Sequence, residues 1–171
     1  MIVISDTTPL RYLIEIGAES ILANIFSKII IPTAIFGELQ RHKTPQPVRD
    51  WITNHPSWLI VQQADLSLYI PQKRIGDGER EAFALALELN ADAVLLDDKG
   101  AMTEAIRLNL TVIRTFDLLE RAAEQGLIDL SVAIDRMKLT TFRLPTTEII
   151  EAMLERDRQR KQDNQYERKN I

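Results

Sequence analysis

Short runs of aliphatic and β-branched residues alternate along this chain with longer segments of helical period, and this alternation constrains the fold most. Because strands that alternate with helices form parallel sheets, the pattern predicts an α/β fold. A weaker fifth strand is predicted at Trp58 to Val61. Four runs are too short for helices and each precedes a turn or a helix-start signal: Ile2 to Ser5, Lys28 to Ile31, Ala93 to Leu96, and Thr111 to Arg114,.

Helix-start signals follow most of these strands. Asp6-Thr7-Thr8-Pro9 offers a capping hydroxyl and then a proline at a first helical position, so a helix should begin there and end near Gly17,. The turn Gly76-Asp77-Gly78 places Glu79 in the first turn of another helix,. Further helices are predicted at Ala18 to Phe26, from Pro32-Thr33, at Val48 to Thr53, Glu79 to Asn90, Lys99 to Asn109, Asp117 to Gln125 (ending near Gly126), and Ser131 to Leu139.

A length of 171 residues favours one domain, and the hydrophobic (45%) and charged (27%) fractions are those of globular proteins,. We predict a domain over residues 1–154, including C-terminal helices, and a polar charged tail over 155–171. Mixed charge without apolar positions cannot form a core, so the tail is expected to be a solvated helical extension or a frayed end. A basic arm that touches RNA or a partner is the alternative.

Composition excludes several functions. No cysteine is present, which excludes disulfides, thiolate zinc sites and cysteine nucleophiles, and which fits a cytoplasmic protein,. The sequence shows no basic signal region and no apolar run near the roughly 20 residues of a membrane span. A net charge of −4 argues against binding to nucleic acid through a large basic surface,. It does not exclude a nuclease, because divalent metal reverses the sign of a carboxylate site.

Acidic residues follow three of the predicted strands. Asp6 and the pair Asp97-Asp98 come directly after theirs, and Asp117 lies three residues beyond the last. In an open parallel sheet, ligands bind outside the carboxyl ends of the strands. Any one aspartate is explained as a helix cap. Capping gives no reason for Asp97 and Asp98 to be adjacent, and a shared carboxylate site explains all of them.

Two glutamates lie in predicted helices, Glu79 in a first turn and Glu38 within the helix that Pro32-Thr33 opens. Glu79 is favourable at a helix N-terminus through the helix dipole alone, so it needs no catalytic role,. Glu81 should face away from Glu79 in a regular helix. Glu38 has apolar neighbours, and an isolated glutamate in such a helix usually faces solvent.

Four segments in this order resemble the PIN-domain family, especially its toxin-like branch related to VapC ribonucleases. The resemblance covers about residues 2 to 140. Any one motif is weak, whereas the ordered set is fairly specific. The segments are Val3 to Leu10, Ile31 to Leu39, Gly78 to Ala82, and Ala91 to Asp98.

The resemblance implies a three-layer α/β/α sandwich around a parallel sheet and a set of metal-binding carboxylates. Thr8 matches the hydroxyl residue of the first motif, and Thr115-Phe116-Asp117 matches a later motif of the family. Glu79 departs from the family by standing where many members carry Asp, and Asp97 competes with Asp98. The implied catalytic and metal-binding set is Asp6, Glu38, Glu79 and Asp98, with Thr8, Thr115 and Asp117 orienting ligands or substrate.

The chemistry of these residue types is consistent with that role. Hard oxygen ligands without Cys or a His cluster select Mg²⁺ or Mn²⁺ over zinc. Two such ions about 4 Å apart can activate water and stabilise the leaving oxygen of a phosphodiester. The sequence therefore predicts a metal-dependent endoribonuclease. By the resemblance it is expected to be a toxin with a small antitoxin partner, and to form a homodimer.

Other readings remain or are excluded. A PIN-like module that keeps its fold and works in binding or assembly is the alternative. The sequence lacks the paired acid after the first strand and the lysine after the last strand that a phosphoacceptor receiver domain needs. It also has no Gly-rich phosphate loop. His42 and His55 are expected to be ordinary surface histidines, and Trp51 and Trp58 are expected to pack in the core.

Overall fold

A computed structural model describes residues 1–72 and 74–169 of the chain. Its centre is a parallel sheet of five strands in the order β3-β2-β1-β4-β5. All five predicted strands are confirmed, with ends that differ by at most one residue. They are β1 (Val3–Ser5), β2 (Ile29–Pro32), β3 (Leu59–Gln62), β4 (Ala93–Leu95) and β5 (Val112–Ile113).

Helices connect the strands, as the α/β prediction requires. Gly17 and Gly126 have positive φ values of 68° and 71° just beyond the helices that they were predicted to end,. A short 3-10 helix at Leu66–Leu68 was not predicted. The α-helices are α1 (Thr7–Glu15), α2 (Ser20–Phe26), α3 (Thr33–Leu39), α4 (Gln46–Thr53), α5 (Asp77–Glu88), α6 (Lys99–Arg107), α7 (Thr115–Glu124), α8 (Leu130–Lys138) and α9 (Thr147–Lys169).

Strand β1 lies at the centre of the sheet. Strands β2 and β3 lie on one side of it, and strands β4 and β5 lie on the other. Ile4 is in register with Ile30 of β2 on one side and with Val94 of β4 on the other. At such a switch point the connections leave toward opposite sides and open a crevice at the carboxyl ends of the strands. The residue that follows β1 therefore lies at the place where this fold class binds ligands.

The chain divides into two compact units, residues 1–115 and the residues from Phe116 onward. The first unit contains the sheet, and its core includes the fully buried residues Val3, Ile4, Leu13, Ile31, Ile35 and Leu85. Among the described residues, every helix is too short or too polar to cross a lipid bilayer.

The second unit carries the charged segment that the sequence analysis separates as a tail. Residues 155–169 continue α9 without a break, and residues 170 and 171 lie outside the described part. Arg156 pairs with Glu120 of α7, and Lys161 pairs with Asp129 at the start of α8. These cations are therefore already neutralised by acids of the same unit. The boundary at residue 155 stays a prediction.

Candidate metal centre

Asp6 lies directly beyond β1, and its backbone N–H donates to the Leu95 carbonyl at 2.9 Å, which extends the pairing with β4. Its side chain is partly buried. Burial raises the pKa of the Asp6 carboxyl from 3.8 to about 6, and the neighbouring Glu79 and Glu38 carboxylates add to the rise. The amides of Thr7 and Thr8 oppose the rise. Glu38 and Glu79 thus each lie close enough to Asp6 to disfavour its charge.

Glu38 points from α3 toward this group. Its Oε2 accepts a hydrogen bond from the Thr7 hydroxyl at 2.6 Å, and Arg41 is 3.9 Å from Oε1. The side chain is 23% exposed, so the usual expectation of a solvent-facing glutamate is wrong at this position. Thr7 was not among the predicted site residues. The adjacent hydroxyls Thr7 and Thr8 were visible in the sequence, but their spacing to residue 38 was not.

Glu79 lies in the first turn of α5, as predicted, and shares a small apolar recess with Asp6. Its Oε2 accepts from the Gly76 N–H at 3.2 Å, which caps the helix. Glu81 faces elsewhere and accepts from the Ala34 N–H at 2.9 Å, at the start of α3. The two glutamates therefore serve different sides of α5, in agreement with the helical geometry.

Gly78 allows α5 to approach α3 closely. A Cβ atom at this position would stand 3.0 Å from the Glu38 Oε1 and 3.1 Å from the Ile35 Cγ1. Only a residue without a side chain leaves the Glu38 carboxylate where it is. The sequence predicts a turn at Gly76-Asp77-Gly78, but α5 already begins at Asp77, with Gly76 as its N-cap. Gly78 is therefore a helical residue that was missed as part of the site.

We expect Gly78→Ala to reduce metal-dependent cleavage at least tenfold without unfolding the protein, because small displacements of catalytic groups are costly. Ser20→Ala in α2 is the control, since Ser20 is exposed and lies outside the carboxylate group. That control should keep full activity. Cleavage rates and melting temperatures of both variants provide the test, and equal rates for the two would contradict the role of Gly78.

Asp98 and Asp97 point to different partners. Asp98 is exposed and caps α6, its Oδ1 accepting from the Ala101 N–H at 2.9 Å. Ala101 itself lines the recess that contains Asp6 and Glu79, so Asp98 lies at the border of that recess. Asp97 accepts two hydrogen bonds from Thr115, one from the N–H at 3.0 Å and one from the hydroxyl at 2.6 Å. Both oxygens of Asp97 thus accept from Thr115, whereas Asp98 is exposed, and the choice of Asp98 as a ligand stays a prediction.

The three remaining predicted residues differ in position. Thr115 is fully buried and orients Asp97, which leaves it no surface for a substrate. Thr8 contributes its amide near Asp6. Asp117 is exposed in the first turn of α7, within the second unit, and its part in the site stays a prediction.

The histidines and tryptophans do not contribute to the carboxylate group in any described contact. His55 packs edge-on against Phe36 with ring centroids 6.1 Å apart, and Trp51 packs against Trp58 at 5.6 Å. The donor set is thus made of carboxylate oxygens, which suits hard divalent cations. Within residues 1–72 and 74–169, no three His, Cys, Asp or Glu side chains stand close enough to hold one ion as placed.

The flexible side chains would have to close around a cation. Asp6 is fixed at a strand end, whereas Glu38 and Glu79 are long chains, each with one oxygen in the hydrogen bonds described above. Rotation of these two chains toward Asp6 would exchange carboxylate repulsion for metal coordination. With Glu38 and Glu79 rotated toward Asp6, the residue types and their common location fit a divalent metal.

Comparisons with known proteins agree with this fold. A family model described as DUF3368, PIN domain, matches residues 2–158. Among solved structures, the chain is similar to a PilT N-terminus domain protein from the hyperthermophilic archaeon Sulfolobus solfataricus, with a TM-score of 0.52 and 21% identity. The alignment covers 71% of this chain and 93% of that one. At this identity the likeness bears on the fold alone. No curated protein matches the chain.

Proposed function

We propose that this chain, which belongs to the PIN-domain family, is a metal-dependent endoribonuclease that hydrolyses phosphodiester bonds. PIN domains are generally nucleases. The observation that carries the proposal is the partly buried Asp6 carboxylate at the end of β1, whose pKa is raised to about 6 with Glu38 and Glu79 beside it. Burying acids together is unfavourable in a purely structural role and useful for holding a cation.

In this proposal each carboxylate has one part. Asp6 and Asp98 are the principal ligands of Mg²⁺ or Mn²⁺, and Glu38 and Glu79 hold a second ion or orient the attacking water. When bound, such ions activate water and stabilise the leaving oxygen of the phosphodiester. The Thr7 hydroxyl fixes one Glu38 oxygen, and the Ala101 N–H fixes one Asp98 oxygen. The second Asp98 oxygen is then available for a cation, whereas the second Glu38 oxygen would have to exchange its 3.9 Å contact with Arg41 for one.

The specific experiment is cleavage of labelled RNA and of DNA of the same sequence, with Mn²⁺ and with a chelator. Cleavage of RNA alone, dependent on Mn²⁺, is the expected result. Cleavage of DNA at the same rate would make the chain a general nuclease. No cleavage of either by well-folded protein with any divalent ion would favour the PIN-like binding or assembly module.

Asp98→Asn should abolish metal-dependent cleavage, whereas Asp97→Asn should reduce it less. The amide keeps the shape of the carboxylate and removes the charge that holds a cation. Asp97 instead receives both hydrogen bonds from Thr115, so its loss should lower stability by about 1 to 2 kcal/mol,. Rates and urea unfolding of both variants test this. An inactive Asp97→Asn beside an active Asp98→Asn would exchange the two ligand assignments.

Divalent metal should stabilise the folded protein at neutral pH, because a ligand that binds only the native state shifts unfolding by mass action. Millimolar Mn²⁺ is expected to raise the melting temperature by several degrees, since about 2 kcal/mol corresponds to roughly 4 to 8 °C in a domain of this size. Asp6→Asn should lose most of that shift. A melting temperature that is the same with Mn²⁺ and with a chelator would argue strongly against the metal centre.

The toxin role is the finer part of the proposal. The segments around Asp6, Glu38 and Asp98 resemble the toxin-like branch, which implies an antitoxin that inserts an Arg or Lys beside the carboxylates, and a homodimer. A neighbouring small reading frame that encodes a DNA-binding protein would support it. The corresponding test is whether the two proteins co-purify and whether the partner suppresses RNA cleavage.

A further inference from the structure

An open pocket of about 530 Å³ lies beside the carboxylate group, between α3 and the first turn of α5. Two arginines line it, Arg41 and Arg80, together with Glu38, Glu81 and Asp77. Glu38 belongs both to this pocket and to the group around Asp6. A molecule in the pocket would therefore be next to the proposed metal centre.

Arg80 lines this pocket and also carries a buried donor without a partner. In the described part of the chain, its Nε is the one buried side-chain nitrogen or oxygen without a hydrogen-bond partner. A buried donor without a partner costs free energy, and such groups are usually satisfied by water, an ion or a ligand. Two pocket carboxylates are already used elsewhere, since Glu81 accepts from the Ala34 N–H and Glu38 accepts from the Thr7 hydroxyl.

Arg41 is the second cation of the pocket. Its side chain is 69% exposed, and its 3.9 Å contact with Glu38 lies at the outer limit of an ion pair. Exposed pairs of this kind contribute little, so the guanidinium can turn toward a ligand at small cost. Arg41 lies in the turn after α3 and Arg80 lies on α5, and the two could bind two sides of one anion.

We propose that Arg80 and Arg41 bind a backbone phosphate of single-stranded RNA, one nucleotide away from the bond that is cleaved. A guanidinium donates two parallel hydrogen bonds that match two phosphate oxygens. The location beside Glu38 fits a neighbouring phosphate, whereas the cleaved phosphate itself would contact the metal. This inference rests on the proposed nuclease function and names how the same site holds its substrate.

The carboxylates of the pocket make RNA binding there dependent on a bound cation. Three carboxylates against two arginines leave the pocket with a net negative charge when no cation is bound. A cation held by Glu38 reverses that local balance. RNA should therefore bind more tightly with a divalent ion present than with a chelator.

The test is the affinity of a fluorescent single-stranded RNA decamer, measured by anisotropy in Ca²⁺ across several salt concentrations, with its integrity checked on a gel. Arg80→Gln and Arg41→Gln should each weaken binding about tenfold, equally for unrelated sequences. Each should also reduce the slope of log Kd against log salt, and the double variant should reduce it by about 0.7, the value for one phosphate of a single strand. Lys138→Gln is the control, because Lys138 is a solvent-accessible cation that pairs with Asp135 on α8, outside both the pocket and the charged segment of α9.

Cleavage kinetics give a second readout. Loss of a phosphate contact made equally in the ground state and the transition state raises KM and leaves kcat nearly unchanged. Arg80→Lys, which keeps the charge and loses the forked donors, should fall between wild type and Arg80→Gln. Because the Arg41 side chain is exposed, Arg41→Gln should leave the fold intact. It therefore keeps the inference testable if Arg80→Gln unfolds.

The outcomes separate this inference from the proposed function. Metal-dependent cleavage by wild type, with unchanged Kd and salt slope in both glutamine variants, would overturn the phosphate site and leave the nuclease intact. RNA binding that depends on both arginines, without cleavage by wild type, would retain the phosphate site and overturn the nuclease. Wild-type protein that does not bind RNA would overturn the phosphate site.

Discussion

Asp6→Asn should make the metal-free protein more stable at pH 7.5 by about 2 kcal/mol while it abolishes RNA cleavage. The wild-type carboxylate is ionised at this pH, although burial and the adjacent Glu79 and Glu38 disfavour its charge. A shift from 3.8 to about 6 corresponds to roughly 3 kcal/mol at about 1.4 kcal/mol per pKa unit,. We expect less, because the side chain is only partly buried.

The pH dependence has a definite sign. Because the folded-state pKa of Asp6 is raised above its unfolded value, its unfavourable contribution is complete above pH 6 and disappears as the pH falls through 6 toward 4,. The stability of wild type relative to Asp6→Asn should therefore improve as the pH falls from 7 to 4. It should change little between pH 7 and 8.

Urea unfolding of the two proteins in a chelator from pH 4 to 8 measures this difference. Asp163→Asn is the control, since Asp163 is an exposed aspartate on α9 and should change stability by less than about 0.5 kcal/mol at every pH,. Equal stability of wild type and Asp6→Asn across the range would show that Asp6 is not held in an unfavourable charged state.

Glu104→Ala should produce the largest loss of stability, about 3 kcal/mol. Glu104 is 5% exposed, and its Oε1 accepts from the Tyr69 hydroxyl at 2.7 Å. Arg107 donates two more hydrogen bonds to the same carboxylate, at 2.6 and 3.0 Å. Burial and the Glu104 charge both raise the pKa of the Tyr69 hydroxyl, which therefore stays protonated as the donor.

The cost of Glu104→Ala arises mainly from what it leaves behind. Tyr69 is 2% exposed, so its hydroxyl would lose a partner that water cannot easily replace,. Tyr69→Phe removes one hydrogen bond and should cost only about 1 kcal/mol. Glu151→Ala on the exposed side of α9 is the control and should be nearly neutral,. Urea unfolding of the variants is the test. A loss of stability in Glu104→Ala no larger than that in Glu151→Ala would contradict the role of the hydrogen bonds among Glu104, Tyr69 and Arg107.

The elements of this fold were largely predictable because their signals are local. Strand β4 is marked by Ala93 to Leu96 and α1 by the Asp6-Thr7-Thr8-Pro9 start, both within a few residues. Asp6 could be found for the same reason, since a strand end and a helix start define its position. Glu79 followed from the turn before α5.

The rest of the site depends on residues that are distant in sequence. Thr7 and Glu38 are separated by 31 positions, and Tyr69 and Glu104 by 35. The role of Gly78 depends on how closely α5 approaches Glu38 of α3, and no local pattern reports that distance. Arg156 and Lys161 of α9 have partners at Glu120 of α7 and at Asp129 just before α8, so composition alone could not separate a paired helix from a solvated tail.

Asp6 at the end of β1, together with Glu38, Glu79 and Asp98, is proposed to hold the divalent ions with which the protein cleaves RNA. The most direct measurement is the single-turnover rate of RNA cleavage as a function of Mn²⁺ concentration, for wild type and for Asp6→Asn of confirmed fold. We predict a wild-type rate that rises and saturates with Mn²⁺ and an Asp6→Asn rate at least 100-fold lower, on the order of the loss when one catalytic electrostatic group is removed. Equal rates for the two proteins, or a wild-type rate unaffected by a chelator, would contradict the claim.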